Sequence, residues 1–155
     1  MALYEAIDTG AAKKAELLDK DFGRFAVRAV LAGIYLTLGT AFAAVAGNVA
    51  EKLAPGSGSI VFASLFGLGL FAIIVLGAEL ATGDMMFVSW SAARGNLGWG
   101  KAVWVVVVAT VFNLVGAILV ALMMSQSAKL GGMDNTHLIS TPVSYTHLRA
   151  HETVL

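Results

Sequence analysis

The amino-acid sequence predicts an all-α membrane protein with three transmembrane helices, the second of them broken. Three observations carry this reading. Of 155 residues 58% are hydrophobic and 13% charged, with a mean hydropathy of +0.81 and a formal net charge of zero; a water-soluble domain is far less apolar. Three stretches, about 25–47, 60–92 and 102–124, are long enough to cross a bilayer, which takes roughly 20 apolar residues. The second stretch is interrupted at residues 77–86 by "GAELATGDMM", which holds two carboxylates, a threonine and two glycines.

Residues 1–21 precede the first span. They contain no short apolar segment with a small-residue cleavage site, so no removable signal peptide is expected and the first span acts as the insertion signal. Leu3, Ile7, Ala11, Leu17 and Leu18 recur at loosely helical spacing among acids and lysines, the pattern of an amphipathic helix lying on a membrane surface; a frayed polar leader is the alternative. Lys13, Lys14, Lys20, Arg24 and Arg28 precede or enter the first span, and Arg94 and Lys101 sit in the second short loop. The first loop, "EKLAPGSGS", balances Lys52 with Glu51. The positive-inside rule therefore places the N-terminus and the second loop in the cytoplasm, as in a multi-pass protein of the cytoplasmic membrane. Arg28 is expected to snorkel to the interface as an anchor.

The transmembrane domain is expected over residues 22–127. Pro55, Gly56 and Gly58 mark its first turn, since proline lacks an amide donor and glycine accepts positive φ. "ARGNLGWGK" at 93–101 marks the second, where Trp90, Trp99 and Trp104 gather as aromatics do at a headgroup boundary. Gly33, Gly39, Ala43 and Gly47, then Gly67 and Gly69, then Gly116 and Ala117, allow close helix packing. Residues 128–141 read as a loop. "PVSYTHLRAHET", residues 142–153, matches the translation of a transposase sequencing-library adapter, so residues 142–155 are expected to be a non-native tail and the biological sequence to stop near Thr141. All three histidines lie at or beyond position 137, and the His147/His151 pair is set aside as a metal site for that reason. No cysteine is present, so no disulfide framework forms. No metal or other cofactor is expected, and without a basic patch nucleic-acid binding has no support.

The interruption carries the functional reading. In hydrocarbon, irregular backbone persists only where protein covers it or where it lines a watery cavity. Ala81–Asp84 is expected to be non-helical, with a second half-helix restarting near Asp84 whose free amides and partial positive charge suit an anion. Two alternatives are equally open from the sequence: Thr82 bonds back within the helix, and Glu79 pairs elsewhere in the bundle. A membrane anchor or assembly subunit is the competing function, although a passive anchor has no reason to keep polar backbone at mid-span. An intramembrane hydrolase would need paired carboxylates within reach, and Glu79 and Asp84, five apart, fall on different faces of a continuous helix. No enzymatic activity is expected.

"GAELATGDMM", followed after one helix and the turn "GNLGWGK" by "FNLVGAILVALMM" and preceded by "VRAVLAGIYLTLGTAF", resembles the formate/nitrite transporter family over about Phe22–Met124. The resemblance implies half of an aquaporin-like six-helix fold made of two inverted three-helix repeats, with this chain holding the first repeat. It also implies a homopentamer with one pore per protomer, small monovalent anions such as formate or nitrite as substrates, and the lipid bilayer as surroundings. The second repeat would bring the family's pore histidine and a fourth-helix lysine. By position Phe66 and Leu70 match apolar constriction residues, and Leu80 and Thr82 match loop residues at the pore. Phe66 and Leu70 are i, i+4 neighbours on one face, and such an apolar ring can gate by dewetting. Ala81 stands where an aromatic is usual, which implies a wider constriction. Glu79, Gly83, Asp84 and Asn113 match positions that support the loop. Asp84 stands where an uncharged polar residue is usual; it either caps the second half-helix or adds a charge that opposes the anion, so that Asp84→Asn is expected to raise uptake.

Overall fold

The computed structural model describes residues 2–125; the loop expected at 128–141 and the tail at 142–155 lie outside the described residues. Regular structure among the described residues is helical throughout: α1 Ala2–Lys20, α2 Phe22–Leu53, α3 Gly58–Val75, α4 Ala81–Ala93 and α5 Trp99–Ser125. Helices α2, α3 and α5 are long and apolar enough to cross a membrane. Helices α3 and α4 together make the broken second span.

The turns follow from local chemistry. The Asp21 side chain accepts the Arg24 N–H at 2.9 Å and so starts α2 one residue after α1 ends. The Glu51 carboxylate accepts the Gly56 and Gly58 amides at 2.9 and 2.8 Å, closing the α2–α3 turn around Gly56, whose φ of +88° is left-handed.

Helix α2 lies between α3 and α5 and packs on both. Its glycines set the spacing. A Cβ on Gly39 would stand 2.6 Å from the Gly69 Cα, a Cβ on Gly33 would collide with the Asn113 backbone, and a Cβ on Gly116 would collide with the Val30 carbonyl. The main buried cluster joins Ala11, Ala15 and Leu18 of α1 to Phe25 and Ala29 of α2, Val88 of α4 and Val105 of α5. Most of these side chains are small, so α1 lies against the bundle, with Gly10 facing the Phe87 ring of α4. The outer face of α3 exposes Ile60, Phe71, Ile74 and Val75.

The break differs from the sequence expectation in position. The non-helical backbone is Leu76–Leu80, and Ala81–Asp84 is the first turn of α4. The reason is that only Gly77 takes a left-handed conformation, φ +62°, and it ends α3 there. Gly83 keeps helical backbone with open space around it. Asp84 is no cap: the N-cap position belongs to Leu80, in extended backbone, and the Asp84 N–H donates to the Leu80 carbonyl at 2.8 Å.

Two helical glycines provide a matched test of this packing. Gly39→Ala is expected to destabilise the protein by about 1–3 kcal/mol, because backbone must move to admit the methyl group. Gly67→Ala, with nothing within 4 Å of the added carbon, is expected to be neutral or to stabilise through helix propensity. Thermal unfolding in detergent reads both.

Candidate functional site

Four of the five backbone amides of the break find an acceptor, three in α3 and one in α2. The amides of Leu76, Gly77 and Ala78 donate back to Ala72, Ile74 and Ile73 of α3 at 3.0, 3.2 and 3.0 Å, and the Glu79 amide donates to the Arg28 carbonyl of α2 at 3.2 Å. Asn113 of α5 completes the set. Its Oδ1 accepts the Ala81 N–H at 2.9 Å, while its Nδ2 donates to the carbonyls of Ala29 at 2.7 Å and Glu79 at 2.9 Å. A side-chain amide is the group that can both accept and doubly donate in one plane. One residue thus ties α2, α5 and the break together.

A second set of contacts is ionic. The Lys14 ammonium of α1 binds the Glu79 carboxylate and reaches Asp84 Oδ1 at 2.6 Å. Arg28 Nη1 lies 3.5 Å from the other Glu79 oxygen. Asp84 is fully buried and Glu79 is 6% exposed, so both carboxylates meet their counter-charges inside the protein, while Lys14 and Arg28 stay partly open to the outside. Arg28 turns toward the break instead of snorkelling away, because Glu79 offers it a buried counter-charge. Asp84, which the sequence placed as a cap or beside the anion, points to Lys14 instead.

By sequence alone Lys14 is only one of the charges that set topology. A signal was present: it shares the helix face of Ala11, Ala15 and Leu18, and a lysine inside an apolar stripe needs a buried partner. Burial pushes the Lys14 ammonium down, but Asp84 and Glu79 outweigh it and hold the group above its ordinary 10.5. A raised value in the folded state means that the stabilisation is full below 10.5 and is lost as pH climbs through the raised value. The Lys14 ammonium is therefore charged at neutral pH.

The residues matched to the anion path lie on more open surface. Phe66 is half-buried and stacks on Phe62 with ring centroids 6.0 Å apart. Leu70 is 36% exposed, Leu80 and Ala81 are half-buried, and Thr82 is exposed. Thr40, Ser64, Ser89 and Thr110 all bond back to the carbonyl four residues earlier, but Thr82 has no hydrogen bond from its hydroxyl among the described residues. The amides of Thr82 and Gly83 likewise find no acceptor there. The start of α4 therefore presents two free N–H groups and a free hydroxyl, at the positive end of a helix dipole.

A span broken at mid-course, with its backbone held by buried side chains and the following helix opening on free donors, is the architecture of broken-helix membrane transport proteins. The chain belongs to the formate/nitrite transporter family, whose sequence model matches residues 1–155. It is 33% identical over 102 residues to the nitrite transporter NirC of Escherichia coli strain K12, covering 65% of this chain and 37% of that protein. It is 34% identical over 110 residues to the "Probable formate transporter" of Methanothermobacter thermautotrophicus, covering 69% and 40%. Among solved structures, an FNT family ion channel superposes with a TM-score of 0.73 at 30% identity, covering 83% of this chain and 49% of that one. The chain thus spans between a third and a half of the length of these relatives.

Asn113→Asp tests the support of the break by a nearly isosteric change. The carboxylate can still accept from Ala81 but turns a lone pair toward two carbonyls, so a loss of about 2–4 kcal/mol is expected from unpaired buried groups. Thermal unfolding in detergent should show a lower midpoint. Stability equal to wild type would mean that the three contacts of Asn113 do not hold the break.

Proposed function

We propose that this chain is the N-terminal three-helix repeat of a channel for small monovalent anions, formate, nitrite or a similar ion, in the cytoplasmic membrane. The complete protein would be a homopentamer of six-helix protomers. The observation that carries the reading is the start of α4, where the Thr82 and Gly83 amides and the Thr82 hydroxyl stand free within a membrane span. A monovalent anion needs a few donors that hold it briefly, and a helix N-terminus supplies them without a fixed charge that would trap it. Phe66, Leu70 and Leu80 offer apolar surface for a constriction, and the small Ala81 leaves it wide. Glu79 and Asp84 do not oppose the anion, because Lys14 and Arg28 neutralise them inside the fold.

The names of the relatives, a nitrite transporter and a formate transporter, support the substrate class. Lys13, Lys20 and Arg24 at one end, with Arg94 just after α4 and Lys101 in the first turn of α5, support a cytoplasmic N-terminus. An anchor or assembly role would leave the satisfied break without purpose. Catalysis has less support, because Lys14 engages both Glu79 and Asp84 inside the fold.

The test is influx of formate and of nitrite into proteoliposomes containing the full-length protein. Thr82→Val removes a hydrogen bond to a charged group, worth about 1.5–3 kcal/mol, so flux should fall roughly ten- to a hundredfold with assembly unchanged on size exclusion. Flux equal to wild type in that variant would take the α4 terminus out of the path.

A further inference from the structure

Helix α1 is pinned along its whole length. The Tyr4 ring stacks on Trp90 with centroids 5.9 Å apart and planes 7° from parallel. Asp8 binds Arg94 at 3.4 Å and accepts from Asn96 at 2.8 Å, and Asp19 binds Lys101. These contacts lead to the end of α4, the turn that follows it and the first turn of α5. Lys14 alone among them leads to the break, and it holds both sides of the α4 N-terminus. Glu79 stands just before the N-cap Leu80, and Asp84 stands one turn beyond it.

We propose that Lys14 is a positioning residue of the anion path: by gripping Glu79 and Asp84 together it sets the orientation in which Leu80–Gly83 present their donors. The inference rests on the transport reading above. Two carboxylates that share one ammonium lie close enough to repel strongly in a buried site if that ammonium is taken away. The separation of the two flanks, and with it the aim of the Thr82 and Gly83 amides, then depends on a side chain from outside the spans. Loss of Lys14 would also leave one uncompensated negative charge beside the donors, which repels an anion. Helix α1 is on this view part of the path's framework, and Tyr4, Asp8 and Asp19 seat it jointly, so that no one of them alone sets the register of Lys14. Gly10 has the same role, since its missing Cβ lets α1 approach the Phe87 ring one turn before Lys14.

The experiment uses the full-length protein in proteoliposomes, with formate influx measured against formate concentration. Lys14→Met should lower the maximal rate at least tenfold, and Lys14→Arg, which keeps the charge, should stay within about threefold of wild type. Asp8→Asn, which weakens the seat of α1 without touching the break, should leave the rate unchanged. If Lys14→Met fails to assemble, Lys14→Met combined with Asp84→Asn takes its place: repulsion and excess charge are then gone, but the grip across the start of α4 is still lost, so the maximal rate should still fall at least tenfold. A second readout is independent of transport: Thr82→Cys, in a background free of other cysteines, is modified by an anionic methanethiosulfonate. The modification rate should fall at least fivefold with Lys14→Met and hold with Asp8→Asn. Wild-type protein that passes neither formate nor nitrite would sink the transport reading, while the modification rates would still decide the role of Lys14. Assembled Lys14→Met with wild-type flux and wild-type modification rate, or an equal loss in Asp8→Asn, would overturn the proposal.

Discussion

Backbone polar groups inside a bilayer have no water to turn to, and the structure is organised around satisfying them at Leu76–Leu80. A continuous helix meets the requirement internally; a broken one needs partners from its neighbours. Asn113 takes the Glu79 carbonyl and the Ala81 amide with one side chain, and it reaches the break only because α2 and α5 lie almost backbone to backbone. Gly33 and Gly116 make that approach possible, since a Cβ on either would strike the facing main chain. Small residues in the helices, the depth of the helix crossing and the three contacts of Asn113 are thus successive consequences of one constraint.

The ionic cluster answers a second cost of the same design. Placing charges in a low-dielectric interior costs several kcal/mol each, and a close pair regains about 4 kcal/mol at 4 Å with an effective dielectric of 20. Such a cluster adds little net stability when complete, but it is strongly destabilised when one member is lost. Its contribution is to geometry. Glu79 draws in Arg28 from α2 and Lys14 from α1, and Asp84 draws Lys14 from the other side, so that three helices and the break meet around four cancelling charges. The start of α4 is left with neutral donors, the feature on which the transport proposal rests.

The division between these inner and outer groups explains how much of the site was legible beforehand. Periodicity, length and the run of apolar residues disclose spans and their interruption, because those are properties of one segment against its solvent. The residues of the break stood out for the same reason, as polar groups in an apolar run. Their roles did not. Asp84 looked like a cap or a pore charge when only its own helix was considered, and Lys14 looked like a topology signal, because the contact between them spans 70 positions and no local pattern encodes it. The break itself fell at Gly77 rather than at Gly83, since two glycines in one segment are alike in sequence and differ only in which one the packing forces to positive φ.

The sequence alone determined the all-helical membrane class, the three apolar spans, the existence of a break in the second, and the family that its motif order matches. These follow from composition and spacing, which fix how each segment partitions between lipid and water. The tertiary structure decided where the helix stops and restarts, which side chains hold it open, and which of its charges are cancelled and which donors are free. Those outcomes depend on α1, α2 and α5 converging on one point, and distance in three dimensions, unlike hydropathy, is not a property of any single segment.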